Sequence, residues 1–529
     1  MIAPHGGLCT RDLLAPETAG TLRGNDLHTA EVARLLAERL DASLIANVAV
    51  DRNELDLNRI SEVAATAPWF LDLMHEMIER ILQRHAVAQV LVVHGWHVIQ
   101  PRCDVGVGAR LAQAGEVHAV APRLTVSPDY VLGALEALRA AGERHGIRTT
   151  YGERWPAAHR NNVLQLFRQT RPAVAGSELH PLGRLAASGR VQAVQLELGV
   201  PLRWPGAWRE RFLDSACGAF AAPVRRAASS IAASAPARAS TETATTASAP
   251  AHARGSALQA YDERAGLGIV VGIGALSRDE IGARLLLLPG GQRMLLFTGH
   301  ERIGRDGATT RVGGLEVLPG DGSLAVRFRG PVLDVPDAGR YFRHEGAQLD
   351  AVLVDLELSL QFTRSCGEAF GCVRGRAQIG DVAWDVLTHG FTDPVLARPA
   401  AGTPDGIRLT ASFGAALGVV ADLAAAGTGA RVRYLTATPS ERAVAAGFAP
   451  PEIVPGVLVQ PFAIPLQDGG TLHCAPRSHA TILRPAGEGA FARITFGAAG
   501  FAFDDGRTGS GFYEHGTTLL AGGEQSEEP

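Results

Sequence analysis

Residues 88–95 read AQVLVVHG, a short, apolar, β-branched run that stops at a histidine followed by glycine. It is too short for a helix and lacks period-two alternation, which is the pattern of a strand buried on both faces. A helical pattern leads straight into it. Pro68–His85 opens with proline at the first helical position, and Phe70, Met74, Ile78, Ile81 and Leu82 form its apolar stripe. Asp26–Leu40 repeats the helical spacing with Leu27, Val32, Leu35, Leu36 and Leu40, and Tyr130–His145 fits another helix. Val191–Leu198 (VQAVQLEL) is a second buried-strand pattern. Helices alternating with buried strands predict an α/β domain over residues 1–222: an open, largely parallel sheet with helices on both faces.

From 223 to 256 the chain is rich in Ala, Ser, Thr and Pro with almost no large apolar side chain, and such a segment is expected to be a flexible linker. Beyond it the period changes from 3.6 to 2. Val352–Phe362 (VLVDLELSLQF) alternates apolar and polar residues, while Leu285–Phe297 turns through Pro289-Gly290-Gly291 and Leu315–Phe328 turns around Asp321-Gly322. These patterns predict an antiparallel β-sandwich or barrel over residues 257–520, followed by a disordered acidic tail at 521–529. No fixed-period repeat is visible, which disfavours a propeller.

Composition narrows the chemistry. At 529 residues the chain exceeds what one core can organise, so at least two domains are expected. A net charge of -4 gives no electrostatic reason to expect nucleic acid or an anionic membrane as partner. All 50 basic residues are arginine, as in proteins of GC-rich bacterial genomes. The absence of lysine excludes a Walker A lysine, a Schiff base and a lysine general base. The six cysteines (Cys9, Cys103, Cys217, Cys366, Cys372 and Cys474) are scattered without a C-x-x-C pair, so neither a zinc ribbon nor a disulfide framework is indicated. No apolar run reaches membrane-spanning length; Asp422 interrupts the Ala-rich Gly414–Gly429, and a cytoplasmic protein is expected. No G-x-S-x-G elbow marks a serine esterase.

Three strand ends carry chemistry. Ile2-Ala3-Pro4-His5 has the composition of a strand tip and runs into Gly6-Gly7; Val92-Val93-His94 runs into Gly95; Leu196-Glu197-Leu198 runs into Gly199. Functional groups in open α/β sheets gather where strands end, and glycine there lets backbone or ligand approach closely. A lone strand-end histidine is more often structural, and a lone buried glutamate usually pairs with an arginine. Three such ends in one domain, each beside glycine, point to a site. Two imidazoles and a carboxylate suit catalytic zinc with one carboxylate kept as base.

These residues resemble the N-formylglutamate amidohydrolase family, relatives of zinc carboxypeptidases and poly-γ-glutamate hydrolases, over about residues 1–213. The resemblance rests on Pro4-His5-Gly6-Gly7, the acidic residue before a helix in Asn25-Asp26-Leu27-His28, the segment Arg52 to Arg59 with Asp56-Leu57-Asn58-Arg59, His94-Gly95, and Leu196-Glu197. It implies one Zn2+ per chain, held by His5, His94 and one acidic residue. Asp26 matches the family pattern, with Asp12 and Glu17 as alternatives, and an aspartate at a helix start is also a common N-cap. The resemblance makes Glu197 the general base and has Arg52, Asn58 and Arg59 hold a substrate carboxylate. Ion pairs with Asp51, Glu54 or Asp56 are the other reading of those arginines. His97 would support a ligand or touch substrate, and Trp96 would pack. His159-Arg160-Asn161-Asn162 would start a helix or line the pocket. Two departures stand out: the chain starts inside the first strand, and Val92 occupies a position where the family often has aspartate.

Asp381–Pro394 and Asp505–Gly516 are the densest polar-aromatic stretches of the second half, within Leu267–Gly516, and resemble lipocalin-like β-domains of the carotenoid-hydratase and tocopherol-cyclase kind. Ordinary turn and strand-end requirements also account for their Asp, Gly and His residues. The expected function is zinc-dependent hydrolysis of a linear amide in an N-acylated amino acid, acidic ones among them, or a γ-glutamyl substrate. The alternative is a non-catalytic binding protein whose β-domain carries an apolar or lipid-like small molecule.

Overall fold

The run at 88–95 forms the central strand of a six-stranded sheet in the computed structural model. Its strands are β1 (Ile2–Ala3), β2 (Ile45–Ala46), β3 (Ala88–Trp96), β4 (Arg102–Gly106), β5 (Arg148–Thr150) and β6 (Val191–Gly199), in the order β2-β1-β3-β6-β4-β5. The structure describes residues 1–15, 22–111, 123–169, 181–221, 256–275, 280–302, 311–366, 369–392, 406–423, 430–445, 448–451, 453, 458–487 and 490–519. The expected linker at 223–256, apart from Ser256, and the tail at 521–529 lie outside the described residues, as does Glu17.

Pairings β1–β2, β1–β3, β3–β6 and β4–β5 are parallel, but β4 runs antiparallel to β6. The sheet is therefore largely parallel, with one antiparallel pairing that makes it mixed. The cause is the connection 97–101 between β3 and β4: a parallel crossover needs a dozen or more residues, so a link this short must reverse the chain.

Helices cover both faces, as the buried-strand pattern requires. On one face Val90, Val92, Val191 and Ala193 pack with Phe70, Met74 and Ile78 of the helix Pro68–Arg84. On the other, Leu91, Val93, Leu196 and Leu198 pack with Val32 and Leu36 of the helix Thr29–Arg39 and Phe212 of the helix Ala207–Phe220. The expected helix at 130–145 is present as one helical stretch, Pro128–Tyr130 and Glu136–Arg144, joined by a π-turn at Val131–Leu135.

The β-rich half forms two closed rings. In the first, Ser256–Asp262, Leu267–Ala275, Glu280–Leu288, Met294–Arg302, Ser323–Val335, Val352–Cys366, Phe370–Ile379 and Val382–Thr392 each pair antiparallel with the next. Leu258–Ala260 against Gly390–Thr392 closes it. The alternation of 352–362 puts Leu356, Leu358, Leu360 and Phe362 in the core. Both expected hairpins form, with Gly290, Gly291 and Gly322 at positive φ in their turns.

The second ring begins at Gly406–Ser412 and ends at Thr508–Leu519, which pair with each other. Its remaining gap is bridged at Val444 and Leu466, where Ala445 N–H donates to Pro465 O at 2.8 Å. Closure removes the exposed strand edges that would template aggregation. Among the described residues no helix is long and apolar enough to cross a membrane.

The α/β sheet docks on the first ring. Ile99 N–H donates to Thr298 O at 2.8 Å, Trp204 Nε1–H donates to Ala351 O at 3.1 Å, and Arg148 pairs with Glu301. Phe297 is buried beside this contact, edge to face with Phe328 at 4.8 Å between centroids. Phe297→Ala should destabilise the chain by about 3–5 kcal/mol, the usual range for deleting a buried phenyl group. Urea unfolding checks this, and a loss below about 1 kcal/mol would mean that the ring core does not depend on it.

Candidate metal centre

His5 follows β1, His94 lies near the end of β3, and Asp26 sits in the loop before the helix Thr29–Arg39. Their side chains meet in the interior. The Nδ1 atoms of His5 and His94 lie 3.1 and 3.0 Å from one oxygen, Asp26 Oδ2. The two rings stand edge to face with centroids 4.8 Å apart. His5 Nε2 turns the other way and meets Asp56 Oδ1 at 2.7 Å.

This donor set fits a metal ion. A ligating histidine normally directs its second nitrogen to a carboxylate, as His5 does to Asp56. Ligands bound at about 2.0–2.1 Å in tetrahedral geometry stand about 3.3 Å from one another, close to the separations from Asp26 Oδ2. His94 Nε2 is buried without a hydrogen-bond partner, which leaves this ring with an uncommitted nitrogen. Val92, where the resembling family often has aspartate, is fully buried in the core.

Glycines beside the ligands have steric reasons. A Cβ on Gly6 would lie 2.4 Å from Asn47 O, and one on Gly7 would lie 2.1 Å from Val50 O. On Gly95 it would lie 2.4 Å from the guanidinium of Arg203. Arg203 is wholly buried and donates to Leu27 O at 2.6 Å and Trp96 O at 3.1 Å. Leu27 follows Asp26 and Trp96 lies two residues after His94, so this side chain ties the segments bearing Asp26 and His94 together. Burial lowers its pKa to about 10.

The electrostatics follow from charges confined in a dry interior. For His5, burial and Arg52 oppose protonation, but the Asp26 and Asp56 carboxylates outweigh them and raise its pKa. Burial opposes charge on Asp26 as well, and His5, His94 and Arg52 together hold it well below the usual carboxylate range. His94 is shifted down, chiefly by burial.

Glu197 stands in register with His94 on the neighbouring strand. Burial, with Asp26 nearby, pushes its pKa well above the usual carboxylate range. Gln195 Nε2–H donates to Glu197 Oε1 at 2.7 Å, and Asn162 Nδ2–H donates to Gln195 Oε1 at 3.1 Å. The polar cluster at 159–162 starts a short helix, as one of the two expectations had it. Asn162 caps the short helix Val163–Phe167 through Leu164 N–H and also supports the glutamate.

The remaining candidates separate. The Asp26 side chain is turned to the histidines, while its carbonyl takes Thr29 N–H and Oγ1–H at the helix start. Asp12 lies outside the trio, paired with Arg343 at 2.6 Å. Arg52 lies 3.7 Å from both Asp26 and Asp56, and Arg59 lies 3.5 Å from Asp56. The acid that gathers the arginines is therefore Asp56, with Arg23 added at 3.0 Å. Asp51 instead accepts from Asn25 Nδ2 at 3.1 Å and Asn53 Nδ2 at 2.7 Å. Asn58 is tied to Asp56 through its backbone N–H and leaves Oδ1 buried without a partner. His97 is exposed beside Gly24 rather than in the trio, and Trp96 packs against His300 at 5.6 Å.

Sequence reasoning missed Asn25, Arg23, Gln195 and Arg203, and read Asp56 only as a partner of arginines. Arg203 had a signal, a lone charge in the apolar stretch Val200–Trp204. Gln195 had one too, two residues before Glu197 and so on its face of the strand.

No family model and no curated protein matches the chain. Among solved structures, one described as a candidate AttH from Nitrosomonas europaea is 15% identical, covers 49% of this chain and 91% of its own, and has a TM-score of 0.30. Transferrin binding protein B from Haemophilus parasuis, at 10% identity, covers 47% and 53% with a TM-score of 0.12. A DUF3598-family protein of unknown function from Nostoc punctiforme, at 11% identity, covers 50% and 94% with a TM-score of 0.10.

If the trio is a metal site, equilibrium dialysis should find about one Zn2+ per chain and none retained by His94→Ala, because two protein ligands bind zinc weakly. Asp56→Asn should weaken binding about 10–100-fold, the usual effect of removing a ligand's supporting carboxylate. Zinc retained by both variants at wild-type affinity would place the site elsewhere.

Proposed function

We propose that this chain is a zinc-dependent amidohydrolase, resembling the N-formylglutamate amidohydrolase family, that cleaves a linear amide of an N-acylated acidic amino acid or a γ-glutamyl compound. The observation that carries the reading is the shared Asp26 oxygen between two buried imidazoles, with Glu197 beside His94.

Bound at His5, Asp26 and His94, zinc supplies a Lewis acid and a water acidic enough to attack an amide near neutral pH. Glu197 takes the proton from the attacking water and returns it to the departing nitrogen. Its upward shift suits that task, because a base working near neutrality needs a pKa above the ordinary carboxylate range. The Gln195–Asn162 chain fixes the carboxyl group in place. Arg23, Arg52 and Arg59 are partly exposed and share Asp56 between them. Arg52 also meets Asp26 and Arg59 also meets Glu62, and the partly exposed guanidinium groups offer forked hydrogen bonds to a substrate carboxylate. Asp56 meanwhile holds His5 in orientation.

The second reading, a non-catalytic carrier of an apolar small molecule, draws on the closure of both β-rings, since an eight-stranded barrel can hold one small ligand. It expects a folded chain without metal.

Glu197→Gln keeps the shape and removes the proton acceptor. It should retain zinc while turnover of N-acylated acidic amino acids falls about 10²–10⁴-fold, the usual worth of a general base. Zinc content and turnover are measured side by side. Zinc lost with Glu197→Gln would make Glu197 a ligand, and unchanged turnover would remove it from the mechanism.

A further inference from the structure

Between the fifth and sixth strands of the first ring, Ser323–Val335 and Val352–Cys366, the chain leaves the ring and lays two short helical turns, Ala338–Tyr341 and Glu345–Gln348, against the α/β domain. Glu345 from this excursion is 1% exposed. Its Oε1 accepts Asn25 N–H at 2.5 Å, and its Oε2 accepts Cys9 N–H at 2.7 Å and Asn25 Nδ2–H at 3.0 Å. All three partners are donors, so the side chain serves only as an acceptor.

The amides it holds belong to the two segments that carry His5 and Asp26. Cys9 follows the His5-Gly6-Gly7 turn, and Asn25 immediately precedes Asp26. Asn25 passes the constraint on: its Nδ2 also reaches Asp51 at 3.1 Å, and its Oδ1 accepts Arg52 N–H at 3.1 Å. A few residues away, Arg343 pairs with Asp12, and Leu13 N–H donates to Arg343 O at 2.9 Å.

We propose that Glu345 is a positioning residue for the metal centre, so that a side chain of the first β-ring sets where Asp26 stands relative to His5 and His94. This rests on the metal-centre reading above. It makes the ring a structural part of the hydrolytic site rather than an appended carrier. Within the α/β domain Asp51 and Arg52 hold the Asn25 side chain, and Glu345 adds the acceptor for its backbone N–H.

Full-length protein titrated with Co2+ tests this, because the visible bands of Co2+ report coordination geometry as well as affinity. Glu345→Gln keeps the shape but places an amide NH2 against N–H donors. It should weaken Co2+ binding about tenfold, the lower end for groups that support metal ligands, and shift the visible bands. Arg343→Ala breaks the neighbouring ion pair without touching Asn25 and should leave affinity and bands as in wild type. Should the Gln variant fail to fold, Asn25→Ala, which keeps the backbone N–H bond but removes the Nδ2–H bond to Glu345 along with those to Asp51 and Arg52, carries the same expectation. Wild-type bands and affinity in Glu345→Gln, or in Asn25→Ala in its place, overturn this inference alone. So does an equal change in Arg343→Ala, which would make the effect one of docking in general. A wild-type chain that takes up no Co2+ overturns the metal-centre reading and this one with it.

Discussion

One oxygen atom, Asp26 Oδ2, takes the Nδ1 atoms of two histidines delivered by separate strands. A buried carboxylate is tolerable only when charge and hydrogen bonds surround it. Here His5, His94 and Arg52 surround it, and each depends on a different part of the chain: the end of β1, the end of β3 and the loop before Asp56. The parallel pairings of β1 with β3 and of β3 with β6 bring the carriers of His5, His94 and Glu197 side by side. The sheet order is thus what permits the cluster.

Close approach then sets the residue types next to the two histidines. Gly6 and Gly7 let the turn after His5 pass against the 47–50 loop, and Gly95 leaves room for the guanidinium of Arg203. That guanidinium has two backbone carbonyls as partners, Leu27 O and Trp96 O, and its Nε is buried without one. An incompletely paired buried cation is costly by itself. The field of the Asp26 carboxylate offsets part of that cost. The histidine on a Gly-Gly turn almost at the first residue is therefore a packing requirement of the same cluster that holds its imidazole.

Local pattern made much of this readable. The run at 88–95, the stripe from Phe70 to Leu82 and the alternation of 352–362 mark burial directly, and each became the element it predicts. His5, His94 and Glu197 were found because three apolar runs of one domain each end in a polar group beside glycine, although each alone has an ordinary explanation. Asp26 was ambiguous in sequence because an aspartate before a helix is also a cap; only its side-chain direction separates the roles. The direction of β4 was missed because it depends on where a five-residue link leads, not on the composition of the strand. The division of the β-half into two rings was missed for a similar reason, since alternation does not say which strand closes on which. Glu345 left no sequence signal: it lies 320 residues from Asn25 in a stretch of ordinary turn composition.

The reversal after β3 has a further consequence. A parallel crossover there would have sent the chain over a helical layer and left the ends of β3 and β6 facing solvent. Instead the link 97–101 turns back at once, and its backbone meets the strand Met294–Arg302: Ile99 N–H donates to Thr298 O at 2.8 Å, and Thr298 Oγ1–H donates to His97 O at 3.2 Å. This contact begins three residues after His94. A second, through the Glu345 excursion, reaches the segments that bear His5 and Asp26. The ring is therefore tied to the strand carrying His94 and to the segments carrying His5 and Asp26. Sliding of the ring against the α/β domain would change the spacing within the trio. These contacts, together with Trp204–Ala351 and Arg148–Glu301, restrain such sliding at several points.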